Sequence, residues 1–158
     1  VTTFTIPGIP MAQPRQRHRV AFVGGKMIAK NYLPQDSPVN AFKAAAALEA
    51  SKVFTAPLEG AICLTVLFIL PRPKSKMWKS RPMPREWHTS KPDLDNLEKA
   101  LKDALKGVAW RDDAQVTAVV KSKVVAAADE VPRTRVKIEV ISQPMILWLD
   151  GDELSHVS

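Results

Sequence analysis

The sequence predicts a single α/β domain built around one hydrophobic core. Three observations predict it. With 158 residues and 46% apolar composition, the chain can bury one core and is short for two. Runs with strand character, either alternating or continuously apolar, are interspersed with two segments of helical character. Proline and glycine clusters separate these runs at the intervals expected of turns.

The elements follow in order. Thr2–Ile6 alternates weakly and reads as a short strand ending at Pro7-Gly8. Val20–Val23 and Met27–Leu33 flank Gly24-Gly25, a dipeptide suited to a hairpin turn. Ser37 suits an N-cap and Pro38 the first helical position, so the alanine-rich stretch to about Val53 is predicted helical. Ala61–Leu70 is continuously apolar, as expected of a strand covered on both faces. Residues 71–90 hold four prolines and six Lys or Arg against the single Glu86, and predict a long, mobile, basic loop. In Asp95–Lys106 the residues Leu97, Ala100, Leu101, Ala104, Leu105 and Val108 follow the spacing of one buried helical face, and Gly107 supplies a stop. Gln115–Val125 and Arg135–Ile141 are predicted strands; in the second, Val136, Ile138 and Val140 alternate with polar neighbours. The domain is expected to span 1–141, leaving an apolar and acidic tail at 142–158.

Charge narrows the partners. Lys and Arg total 23 against 16 Asp and Glu, a net charge of +7 and a pI near 9.7. Such a surplus suits a polyanion, because neutralised phosphates release condensed counterions; it also suits an ordinary basic protein. The lone Cys63 cannot form an internal disulfide and sits in an apolar run, which fits a reducing cytoplasm. No apolar stretch reaches the roughly 20 residues of a membrane span, and no basic-then-apolar leader opens the chain.

The sharpest pattern is Lys91-Pro-Asp-Leu-Asp-Asn-Leu-Glu-Lys99, followed by Asp103 and by Trp110-Arg-Asp-Asp113. Asp95 with Glu98 three residues on fits a capping box, which would make it structural. Asp93 is harder to explain that way. If the extended chain enforced before Pro92 persisted through Leu94, Asp93 and Asp95 would point to one side. Two adjacent carboxylates repel unless a cation lies between them, and hard cations such as magnesium take oxygen ligands. Asp112-Asp113 either joins this cluster or forms an exposed turn. Asp95, Lys99 and Asp103 stand four residues apart on one helical face. They read as a solvated ion-pair ladder, or as a cation held beside a metal site.

The run KPDLDNLEKALKDALKGVAWRDDAQV, about 26 residues from Lys91 to Val116, resembles the central motif of the RusA family of Holliday-junction resolvases of bacteria and their phages. QPRQR near the N-terminus and LPRPKSK from Leu70 agree more weakly. The resemblance implies a mixed α/β fold with a small sheet packed on two main helices. It also implies a homodimer that nicks both sides of a four-way junction. On it, Asp93, Asp95 and Asp113 match the catalytic ligands for magnesium, with manganese able to substitute, and Lys99 matches a catalytic lysine. Asp112 and Asp103 fall on family positions as supporting residues. The alanine-rich helix is generic, and the apolar and acidic tail after Ile141 is not part of the family pattern.

DNA contacts are expected from alternating cations. Arg15, Arg17 and Arg19 would share one side of an extended segment, and Arg72, Lys74 and Lys76 repeat the spacing near Trp78 and Trp87. The tryptophans would stack on bases or simply anchor the loop. His18 and His88 lie in basic surroundings and His156 in the tail, none with metal-binding spacing. The competing expectations are a non-catalytic module for branched DNA and a plain structural domain.

Overall fold

The computed structural model describes residues 1–14, 17–32, 37–78 and 80–144, and for 17–21, 23 and 27–32 the backbone only. Among these residues, seven strands and two α-helices form: β1 (Thr2–Pro7), β2 (Arg17–Val23), β3 (Lys26–Tyr32), α1 (Pro38–Ser51), β4 (Ile62–Leu70), β5 (Glu86–Trp87), α2 (Leu94–Leu105), β6 (Val116–Val125) and β7 (Arg133–Val140). Five strands make one sheet in the order β1-β7-β4-β6-β5, while β2 and β3 pair separately as a hairpin. Only β4 and β6 run parallel, so the sheet is mixed.

The central place of β4 explains its composition. It is bonded to β7 on one edge and β6 on the other, and all of its residues except Thr65 and Leu67 are buried. Leu64, Val66 and Phe68 join Phe4, Ile6, Val136 and Ile138 beneath both helices. Each such side chain contributes about 1.5–3 kcal/mol by leaving water. Cys63 is buried and free.

Helix α1 starts at Pro38, as predicted, and buries Val39, Phe42, Ala46 and Ala50; it ends at Ser51, two residues before Val53. Its small alanines let it lie against α2 and β1. Helix α2 buries the predicted Leu97, Ala100, Leu101, Ala104 and Leu105. The hairpin turns at Gly24 and Gly25, with φ of +59° and +77°, the positive pair that a type I′ turn requires.

Three expectations are corrected. Residues 71–90 are not a structureless loop, because they contain a 3₁₀ turn at Lys74–Lys76 and strand β5, which pairs with Val124 and Val125 of β6. Helix α2 begins at Leu94, one residue before the predicted Asp95, and its N-cap is Asp93, two residues before the one the capping box implied. Extended backbone therefore stops before Leu94, and the alternation that would have aligned Asp93 with Asp95 does not operate. Strand β7 also begins at Arg133, two residues before the predicted start. Among the described residues, no helix is long and apolar enough to cross a membrane.

Candidate active site

The segment leading into α2 is fixed by β6. The Lys123 ammonium donates to the carbonyls of Ser90 and Pro92, both at 2.6 Å, and the His88 amide donates to the Lys123 carbonyl. The Lys91–Pro92 peptide is cis. Asp93 then occupies the N-cap, yet its exposed side chain makes no capping hydrogen bond. Asp95, in the first turn, carries a side chain that is 88% exposed.

The period of α2 buries its leucines and turns Asp95, Lys99 and Asp103 outward, with Glu98 and Lys102 beside them. These five and Asp113 line one open hollow of about 270 Å³. Lys121 of β6 bridges Asp95, at 2.5 Å, and Glu98. Lys102 also approaches Glu98, and Lys43 of α1 lies 3.6 Å from Asp103. The hydrogen bond and charge of Lys121 hold the Asp95 carboxyl below its ordinary range. Burial opposes the charge on Lys121 itself, but Asp95 and Glu98 outweigh it and raise its pKa.

Asp113 reaches the hollow from the other direction. Its Oδ1 accepts a 2.9 Å hydrogen bond from the indole N–H of Trp110, which is fully buried. The turn carrying Asp113 is braced separately. Asp112 caps the 3₁₀ turn Asp113–Gln115 by accepting from the Ala114 amide at 2.8 Å. Gln115 accepts from the amides of Arg111 and Asp112 and donates to the carbonyls of Leu58 and Gly60. The two aspartates thus divide the work, Asp112 shaping the turn and Asp113 facing the hollow.

Asp95, Lys99, Asp103 and Asp113, four of the six acid and lysine positions singled out by sequence, therefore meet at one place. Asp93 stands outside the lining at the head of the same helix, and Asp112 is occupied with its turn. Among the described residues, no three His, Cys, Asp or Glu side chains converge closely enough to form a ready metal cage. Sequence reasoning missed Lys121, Lys123 and Trp110 and treated Glu98 only as a capping partner. The signal for Trp110 was available, since it stands three residues before Asp113. The lysines, on a strand with no acidic neighbour in sequence, gave none.

The expected DNA contacts separate. Arg15 lies outside the described residues, as do the side chains of Arg17, Arg19 and His18, and also His156 and the tail from Met145. The Arg72 side chain is 3% exposed. It donates to the carbonyls of Lys76, Pro84 and Ala126 and pairs with Glu86, and Lys76 pairs with Glu86 at 3.0 Å. Lys74 is exposed. Trp78 lies under Arg81 at 4.0 Å and near Arg72 at 5.8 Å, so it anchors the loop. Trp87 is 73% exposed. Burial and the nearby Lys123 lower the His88 pKa, favouring its neutral form.

A helix presenting acids and a lysine to a hollow closed by a distant aspartate defines a nuclease-family protein here, because the family model for endodeoxyribonuclease RusA matches residues 7–139. The chain belongs to the RusA family of Holliday-junction resolvases. It is also similar to an uncharacterized protein, YqaN, of Bacillus subtilis (strain 168). The two are 32% identical over 149 residues, covering 88% of this chain and 96% of the relative.

Proposed function

We propose that this chain is a magnesium-dependent, structure-selective endodeoxyribonuclease that resolves four-way DNA junctions by paired nicks, acting as a homodimer. One observation carries the reading: Asp95 and Lys99 from α2 and Asp113 from the turn before β6 line the same open hollow. A homodimer suits the product, because two-fold symmetry sets two such hollows against opposing strands.

The donor chemistry fits a hard divalent cation. Only carboxylate oxygens are offered, with neither thiol nor imidazole among the lining residues. Asp93, Asp95 and Asp113 are the residues that would hold it. The exposed Asp95 side chain, on a helix fixed by its leucines, would reach such an ion by exchanging its Lys121 partner for it. Asp93 is uncommitted as a cap, and Asp113 is oriented by the Trp110 indole while its second oxygen stays available. Magnesium, when bound, polarises the phosphate and lowers the pKa of coordinated water.

The remaining work falls to the chain. Lys99, exposed at the hollow, offsets charge that develops on the phosphoryl oxygens during cleavage. Lys121 keeps Asp95 ionised and restrains it when no DNA is present. Asp103, at the hollow, and Asp112, beneath Asp113, play supporting parts, one through Lys43 and the other through its turn. Exposed Lys74, together with Arg15, Arg17 and Arg19, is assigned to phosphates. Arg72 and Lys76 contribute by shaping the connection.

The test is Asp93→Asn. It is expected to abolish magnesium-dependent nicking of a synthetic four-way junction while gel-shift binding persists. Undiminished cutting would overturn the assignment. The competing reading, a non-catalytic module for branched DNA, draws on the pairing of Lys121 with Asp95 and Glu98. Absence of nicking by the unmodified chain, in magnesium and in manganese, would decide for it.

A further inference from the structure

Both helices cover one face of the five-stranded sheet, and the register fixes what the other face carries. Thr3 pairs across from Lys137, and Thr5 from Arg135. On the other side of β7, Lys137 pairs with Thr65, Arg135 with Leu67 and Arg133 with Ile69. Side chains directly opposite one another share a face, and these alternate with Phe4, Val136 and Val66, which belong to the core under the helices. Thr3, Thr5, Thr65, Leu67, Arg135 and Lys137 line a shallow groove of about 390 Å³.

The chemistry of this groove is specific. Arg133, Arg135 and Lys137 form a file down β7, spaced about 6.8 Å apart, two strand residues at a time. Arg133 is partly committed, to the Val131 carbonyl and to Glu130. Arg135 is exposed and makes no ion pair among the described residues. Lys137 pairs with Glu139 at 3.1 Å, yet its side chain remains 44% exposed. Threonine hydroxyls flank both cations, and no carboxylate lies in their two rows. Cations at strand spacing with hydroxyl donors beside them suit the phosphates of a nucleic-acid backbone. The exposed indole of Trp87 belongs to the same face, opposite Val124 in the row of Ile69, at the outer edge of the sheet. Flat aromatic surface beside cations is a further feature of nucleic-acid surfaces.

We propose that this face, which neither α1 nor α2 covers, is a second DNA-contact surface, which grips the backbone of a junction arm other than the strand lying at the α2 hollow. The proposal rests on the reading of the chain as a junction nuclease. It gives a physical origin to selectivity for branches: linear DNA presents one segment, whereas a four-way junction presents arms in several directions and can engage two faces of one protomer together.

The experiment compares the full-length chain with its Arg135→Ala, Lys137→Ala double variant. Junction binding is measured by fluorescence anisotropy across a salt series, with calcium replacing magnesium. Each phosphate contact contributes about 0.9 to the slope of log K against log salt, so the double variant should lose close to two units of slope. It should also lose several-fold in affinity for the junction, and less for linear duplex of equal length. A control pair, Lys52→Ala with Lys106→Ala, removes the same charge elsewhere and should leave the slope nearly unchanged. An unchanged slope in the Arg135 and Lys137 variant, alongside normal junction binding by the unmodified chain, overturns this inference and spares the nuclease reading. Sedimentation showing that the variant loses self-association, with its slope intact, overturns it in favour of a protein interface. Failure of the unmodified chain to bind junctions at all removes both.

Discussion

The connection spanning residues 71–90 and the strand β7 are both rich in cations, and the fold uses them in opposite ways. The connection is the conspicuous one in sequence. Yet Arg72 is sealed among carbonyls, Lys76 is tied to Glu86, Arg85 forms a two-pronged pair with Glu130, and Arg81 lies over Trp78. In β7 the cations are diluted by apolar residues and attract no notice, but Arg135 stands open to solvent. The difference teaches that charge density along a chain is a poor guide to which charges remain free. A segment with few apolar residues has little else to fold around, so its own arginines become the framework.

Three substitutions would sharpen or break that comparison. The largest effect is expected from Arg72→Ala, which strands three carbonyls and one carboxylate that the guanidinium now serves. Removing one buried charged partner of this kind costs about 3 kcal/mol, and chemical denaturation should show a loss of that order. A loss under about 1 kcal/mol would mean that the connection holds its shape by other means.

Next comes Glu130→Gln. Arg85 first, then the Ala127 amide and Arg133, bring the Glu130 carboxyl down to about 2 from an ordinary 4.5, against the opposing effect of burial. A carboxylate with a depressed folded pKa lends stability above its unfolded pKa and surrenders it as pH falls through the folded value. The unmodified chain should therefore exceed the variant in stability at pH 6, with the gap closing between about 4.5 and about 2. A gap independent of pH would remove the ionised carboxylate from the explanation. The smallest effect is expected of Lys74→Ala. Stability should stay within about 0.5 kcal/mol, while the salt slope of junction binding falls by about one unit if this lysine meets a phosphate. A stability loss comparable to that of Arg72→Ala would erase the distinction between framework and free cations.

Much of the architecture was legible because apolar periodicity is a local property. The buried face of α2 and the doubly covered β4 were both readable from single segments of sequence. Boundaries set by tertiary contacts were not. Strand β5 is two residues long and exists because β6 offers it an edge, so nothing in Glu86-Trp87 could announce it. At the hollow, the helical spacing of Asp95, Lys99 and Asp103 was fully visible. Lys121 was not, since its partners lie 26 and 23 positions earlier in the chain. The start of α2 at Leu94 turned on a single residue, yet it exchanged the expected roles of Asp93 and Asp95 at the helix terminus.

Strands β4 and β6 are parallel neighbours, so the chain must travel back from the end of one to the beginning of the other, and residues 71–115 make that journey. Every acidic group at the hollow rides on this return path. Such a path closes only when strands remote in sequence have already zipped together, a slow and late event for any polypeptide. On the nuclease reading proposed above, the acids of the hollow would be drawn together only once β4 and β6 have paired, so the site would be the last part of the fold to take shape.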